Sequence, residues 1–388
     1  MRHLPLPDAD AETTSSLLAR RLYEAPIDNA IRLVEHCGPR PATGLGEARA
    51  AAAVDGRLRR SGLHVAADIF SMQNPRLWVS VVLVLCAFLA SGMYYWLPIP
   101  ASTLLFGSTI FSMLVWRRIW ASIFTTSSKS QNVVAVRTAE KVQHQRIVLL
   151  APLDSPLPSV RLESRLASFL QNDWLAPFAT ALMFLMALVG LILPLRLYLF
   201  LMLAPLILLL AILIRALFDR YGAQSPGALH HAGPLAVLLD CSNSLETLQT
   251  SELWSVALGA SSNMHAGVQN LLERYPFDKE TSLFIVLEGL GAGKLCYNVN
   301  TAQHAFFHQR VAEAIHSGIE LELCPPRPGL ASMLMRQGYA CIALHADDGH
   351  GHWPLYGSPN DTVEQLDANQ LVLAARFVLE CVRALDRT

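Results

Sequence analysis

Two apolar blocks dominate the pattern along this chain. Leu77–Trp116 is 40 residues without Asp, Glu, Lys, Arg or His, and Trp174–Ile214 is 41 residues whose only charge is Arg196. Each is about twice the ~20 residues of helix that cross a bilayer. Each also breaks near its middle, at Pro98-Ile99-Pro100 and at Pro194-Leu195-Arg196. The pattern predicts two helical hairpins, over 76–120 and 173–218, with four spans near 77–97, 101–118, 175–193 and 197–215. Trp78, Tyr94, Tyr95, Trp96, Trp116, Trp120, Trp174 and Tyr198 sit at their ends, where amphipathic rings favour the headgroup region. Arg76, Arg117, Arg118, Arg215 and Arg220 lie on one side of the spans and only Arg196 on the other. The bias of basic residues toward the inside then places the rest of the chain in the cytoplasm, on a multi-pass protein of the inner cell membrane.

Outside the blocks the period alternates between helix and strand. Glu47–Arg60 reads as an Ala- and Arg-rich helix that stops before Gly62 and leads into a strand over Leu63–Phe70. Asn132–Val136 and Arg146–Leu150 read as a β-branched strand pair. A helix over about 232–247 follows, then a strand at 253–258, a helix at 266–274 and the buried run Leu283–Leu287. Thr301 can cap a helix to about His316. Ile319–Leu323 and Tyr339–Leu344 read as short strands before a closing amphipathic helix, Asn369–Leu385. Continuous apolar strands alternating with helices predict an α/β fold with a mostly parallel sheet. The hairpins would make this domain discontinuous, over 1–75, 121–172 and 219–388.

Composition sharpens the picture. Only 16% of the 388 residues are charged, against 52% hydrophobic, and the deficit lies in the two blocks. The net charge of −1 gives no basic excess for nucleic acid. The first residues, from Met1-Arg2-His3 into Asp8, Asp10 and Glu12, lack the apolar core of a signal peptide. Seven cysteines without a Cys-x-x-Cys suit a reducing compartment, and Cys241, Cys296, Cys324, Cys341 and Cys381 read as core.

The order of motifs is similar to that of the di-zinc aminopeptidase superfamily, metallopeptidase family twenty-eight type. Gly38-Pro39-Arg40-Pro41-Ala42-Thr43-Gly44 resembles its N-terminal signature, and Asn132-Val133-Val134-Ala135 its next strand. Ala151-Pro152-Leu153-Asp154-Ser155 stands where the family has Ala-His-x-Asp-Ser. Gly227-Ala228-Leu229-His230-His231-Ala232-Gly233 resembles Gly-Ala-x-Asp-Asn-Ala-Ser. Ser261-Ser262 occupy the Glu-Glu position, Glu288 follows a strand that usually ends in Asp, and Gly357-Ser358-Pro359-Asn360-Asp361-Thr362 resembles the final His-Thr-x-x-Asp-Thr. The resemblance implies a three-layer sandwich with the hairpins inserted.

It also implies where chemistry is missing. A two-ion hydrolase needs a bridging carboxylate, separate ligands for each zinc and a general base. Pro152, His230, Ser261, Ser262 and Gly357 replace those groups; Glu288 keeps a donor, and Asp154 matches a residue that orients a histidine. The expectation is therefore a non-enzyme without metal or other cofactor, a scaffold or assembly subunit that meets other integral membrane proteins and the lipid bilayer through its hairpins and binds no nucleic acid. The alternative is a metal-dependent hydrolase with one zinc at a rearranged site, built from His230, Glu288 and the loop carrying His345, Asp347, His350 and His352. A further alternative is a peptide-binding sensor that uses the vestigial cleft. Gly289–Lys294 resembles a phosphate-binding loop only faintly and reads as a turn after a strand.

Overall fold

A computed structural model describes residues 26–75, 77–117, 125–141, 145–158, 169, 174–192, 195–262, 265–301, 304–317, 319, 321–349 and 353–386. They divide into two compact units. One takes in the described residues of Met1–Phe70, Ser130–Leu157 and Gln224–Thr388; the other takes in those of Ser71–Lys129 and Pro158–Ala223.

The larger unit is built on an eight-stranded mixed sheet. In chain order its strands are β1 (His64–Pro75), β2 (Thr125–Arg137), β3 (Gln145–Pro152), β4 (Ser251–Leu258), β5 (Ser282–Leu287), β6 (Lys294–Asn300), β7 (Glu322–Leu323) and β8 (Ala340–Asp347). In space they run β1-β2-β4-β3-β5-β8-β6-β7. The centre is parallel, β4 on β3, β3 on β5 and β5 on β8, while β2 meets β4 and β6 meets β8 antiparallel. Side chains of a strand alternate between faces, so each apolar run feeds two cores. Ile147, Leu149, Leu283, Ile285, Ile342 and Leu344 point to one, with Val54, Leu235 and Phe377 from the helices over it. Val148, Leu150, Phe284, Val286, Cys341 and Ala343 point to the other, under Val268, Leu271, Leu330 and Leu334. Helices therefore cover both faces, and a sheet dry on both sides is why its strands read as unbroken Val, Ile and Leu.

Two local readings change. The strands at 132–136 and 146–150 are not neighbours: β4 lies between them, and Val256 pairs with Val134 on one side and Leu150 on the other. The glycines after β5 do make a turn, but it returns the chain into a strand, β6, that the sequence reading passed over.

Among its described residues the smaller unit holds four apolar helices: α1 (Leu77–Met93), α2 (Pro98–Trp116), α3 (Leu175–Gly190) and α4 (Leu195–Tyr221). α1 packs on α2 and α4, and α3 packs on α2 and α4, which closes a four-membered ring. Its interior is lined by small residues, Ala87, Ala90, Ala101, Ala179 and Ala187. Tyr94 donates its hydroxyl to the Ala187 carbonyl at 2.6 Å and stacks on Tyr198 at 3.8 Å. Among the described residues two helices are long and apolar enough to cross a membrane, Pro98–Trp116 with 19 residues and Phe200–Tyr221 with 22. The helices Leu77–Met93 and Leu175–Gly190, with 17 and 16 residues, are apolar but shorter, about 25 Å against a ~30 Å hydrocarbon core.

Candidate functional site

The loops at the C-terminal ends of β3, β4, β5 and β8 carry the residues singled out from the sequence. Pro152 ends β3, opposite Leu258 of β4, and offers no donor atom. Asp154 follows it and is fully buried. Its Oδ1 accepts the Ser261 N–H at 2.8 Å and the Ser261 hydroxyl, and its Oδ2 accepts the Ser262 N–H at 3.0 Å and the Ser262 hydroxyl. Burial raises the Asp154 pKa against those four donors. Beside them lies Glu47, which the sequence reading missed; it accepts the N–H groups of Ala260 at 2.7 Å and Thr43 at 2.5 Å and the Ser130 hydroxyl at 2.8 Å. Desolvation pushes Glu47 up to about 7.

Arg40, noted in the sequence only as part of a motif, is the fastener of this end of the sheet. Its buried guanidinium donates to the carbonyls of Leu153 at 3.3 Å, Gly227 at 3.1 Å and Gly38 at 3.0 Å. It thereby ties together three loops far apart in the chain.

His230 stands in a π-helical turn, Ala228–Ala232. Its Nε2 lies 2.7 Å from the Pro354 carbonyl. A carbonyl only accepts, so Nε2 carries the proton. The ring meets Tyr356 edge-on at 4.8 Å, and burial holds its pKa below the ordinary histidine value. Asp361, noted in the sequence only as part of a motif, accepts the Leu229 N–H at 2.6 Å and the Ser225 hydroxyl at 3.3 Å and so pins the turn. Gly357 takes a left-handed φ of +62°, which glycine alone adopts without strain.

Glu288 is part-buried and turned onto the start of helix Leu330–Arg336, where it accepts the Leu330 N–H at 3.0 Å. Desolvation raises it to about 7 even so. With Asn298, Arg327, His345 and Trp353 it lines a cavity of about 10 Å³, close to the room one water needs. His345 Nε2, Trp353 Nε1 and Arg327 Nε are buried without a hydrogen-bond partner. Burial and the charge of Arg327 lower His345 to about 4.

These positions do not fit a two-ion centre. Both oxygens of Asp154 are occupied, His230 presents an N–H, Glu288 is held on backbone donors, and Pro152, Ser261, Ser262 and Gly357 supply no ligand. The alternative cluster in the 345–352 loop is also taken apart. Asp347 pairs with Arg327 and accepts the Gly349 N–H at 2.6 Å, while His350 and His352 lie outside the described residues. Another group does come together: the ligand atoms of Cys296, Cys324 and His345 lie within 4.8 Å of one another. The two cysteines, read from the sequence as separate core residues, are joined as a disulfide, with Cα atoms 5.9 Å apart.

No family model and no curated protein matches the chain at the level of sequence. Solved structures do. An aminopeptidase from Aneurinibacillus sp. strain AM-1 superposes with a TM-score of 0.57 at 12% identity, covering 94% of this chain and 95% of that one. A zinc aminopeptidase from Bacillus subtilis gives 0.56 at 13%, covering 93% and 94%. A glutaminyl cyclase from Porphyromonas gingivalis gives 0.54 at 12%, covering 94% and 98%. This chain has the aminopeptidase fold. The expectation of a non-enzyme is corrected to this extent: the proteins that share this fold are named as aminopeptidases and a glutaminyl cyclase, so the fold itself carries no sign of inactivity.

Proposed function

We propose that this chain is a membrane-anchored, metal-dependent hydrolase of peptide-like amide bonds, using one zinc ion at a rearranged centre. The observation that carries the reading is Glu288: a carboxylate with a pKa of about 7 beside a cavity sized for one water. A general base works best when its pKa lies near the operating pH. In this reading Glu288 takes the proton of the attacking water, and Trp353 Nε1 and Arg327 Nε, both lacking partners, donate to the oxygen on which charge develops. His345, lining the same cavity with its Nε2 unpaired, would be one of the residues that hold the ion, which when bound would supply polarisation of a carbonyl.

Anchoring is argued from the smaller unit. Its ring of helices buries alanines and turns Leu85, Phe88, Phe106, Phe200 and Ile207 outward, an apolar belt far larger than a soluble surface carries. We read all four helices as membrane-embedded hairpins, the shorter pair accommodated by local thinning of the bilayer.

The test is an assay of the full chain in detergent, supplied with zinc, on aminoacyl and N-terminal glutaminyl peptides. Glu288→Gln should lower kcat/KM by about 10²–10⁴-fold with the thermal transition unchanged. Full activity in that variant, or no turnover of any amide, overturns the reading.

A further inference from the structure

Three metal-capable side chains stand on or just after three neighbouring strands, β8, β6 and β7. Cys296 of β6 and His345 of β8 are direct partners across the antiparallel ladder. Partners in register project to the same face of a sheet. Cys324 follows β7, which runs parallel to β6 with Glu322 opposite Cys296. Its backbone is fixed on both sides: its N–H donates to the Tyr297 carbonyl at 2.8 Å, and its carbonyl accepts from Asn298 Nδ2 at 2.8 Å. The three donors are thus mounted on rigid backbone, the condition for a defined ligand geometry.

The side chains carry a second observation. Cys296 is fully buried and His345 is 4% exposed. A buried imidazole nitrogen without a partner is an unfavourable arrangement that asks for an explanation, and His345 Nε2 is one. It belongs to a ring whose ligand atom lies within 4.8 Å of both sulfurs. A tetrahedral zinc with bonds of about 2.0–2.3 Å keeps its ligand atoms about 3.3–3.8 Å apart, a small rearrangement from that spacing. Two thiolates and an imidazole are a zinc donor set, and three protein ligands leave a fourth position open.

We propose that Cys296, Cys324 and His345 form a zinc-class metal site that exists only while the two cysteines are reduced. As a disulfide the sulfurs are spent, because a metal takes thiolates. Opening the site therefore needs two electrons. A dithiol reductant delivers them by thiol–disulfide exchange: the Cys296–Cys324 bond breaks, two thiols form, and the reductant leaves as its own disulfide. The divalent ion then displaces one proton from each thiol and forms two metal–sulfur bonds. Oxidation of the pair by a disulfide of the same class reverses both steps and releases the ion. This deepens the single-ion reading above, with which it shares His345, by making the ion's presence depend on redox state.

Cobalt(II) is the probe, added to the full chain in detergent after the protein has been either reduced and freed of reductant under nitrogen or left oxidised. The reduced chain should bind one cobalt with a sulfur-to-cobalt charge-transfer band, and the oxidised chain should show no such band. Cys324→Ser should lose a large part of that band. His345→Gln, which keeps both thiols, should keep the band but bind cobalt more weakly. Equal binding by both redox forms, no binding by the reduced form, or a band unchanged in Cys324→Ser overturns the site. Zinc content measured alongside turnover separates the two claims. Cobalt bound through sulfur with no amide turnover keeps the site and defeats the hydrolase; turnover in a chain that binds no metal through sulfur does the reverse.

Discussion

Asp154 holds Ser261 twice on one oxygen, through the serine's backbone N–H at 2.8 Å and through its hydroxyl. Ser262 repeats the arrangement on the other oxygen. The serines that stand where the resemblance places two glutamates are therefore structural partners of a buried carboxylate. Replacing both by alanine removes two donors to a group that stays buried. A hydrogen bond to a charged group contributes about 1.5–3 kcal/mol, so the double variant should lose about 3 kcal/mol of stability in denaturant unfolding. A shift too small to resolve would show that the two backbone donors satisfy Asp154 alone.

The acid–base role proposed for Glu288 carries a pH signature. Its pKa of about 7 makes kcat/KM rise as pH increases through that value, because the base must be ionised. The limb should vanish in Glu288→Gln, leaving a low, flat rate. A limb centred near 4.5 would place the base on an ordinary exposed carboxylate instead.

Asp240, in the helix Gly233–Ser244, offers a cleaner stability test, since desolvation alone raises it, from 3.8 to about 6. The folded state then binds the proton more tightly than the unfolded state, so the contribution is full below about pH 4 and is lost as pH rises through 6. Asp240→Asn carries no such loss. Its stability relative to the parent should climb across pH 4–7 by up to about 3 kcal/mol, at 1.36 kcal/mol per unit. A difference that stays flat with pH would mean that Asp240 ionises as freely folded as unfolded.

Gly190 lies where a Cβ would meet the Tyr198 ring and the Tyr94 hydroxyl. Gly190→Leu should disrupt the Tyr94–Tyr198 stack and lower the thermal midpoint of the detergent-solubilised chain by several degrees. Gly92 meets nothing within 4 Å, so Gly92→Leu should leave the midpoint where it was. Equal effects from the two would show that close approach at Gly190 is not what holds the helix Leu175–Gly190 against its neighbours.

Much of the sheet was legible because β3, β5 and β8 are buried on both faces, which leaves a run such as Leu283-Phe284-Ile285-Val286-Leu287 unmistakable. β6 was not, since Gly289, Gly291 and Gly293 mask the entry to a strand whose later residues alternate in polarity. The candidate site was legible by position and not by role. Glu288 was identified as a surviving donor, but its raised pKa comes from desolvation beside a helix that reads as nothing distinctive in sequence. Cys296 and His345 are 49 positions apart, and only the β6–β8 register brings them opposite one another. Arg40, Glu47 and Asp361 act through contacts with loops distant in sequence, which no local pattern encodes.

The interleaving of sheet and apolar helices also sets a timetable for the growing chain. β3 is complete at Pro152, yet its partners on both sides, β4 and β5, begin only at Ser251 and Ser282. About 100 residues separate the first of these from β3, which at ~5–20 residues per second is about 5–20 s of synthesis. Throughout that interval β3 has two unpaired edges, the condition that invites misassociation. The helices Leu175–Gly190 and Leu195–Tyr221 emerge within the same interval, so the unit of apolar helices can finish assembling before the central sheet begins to close.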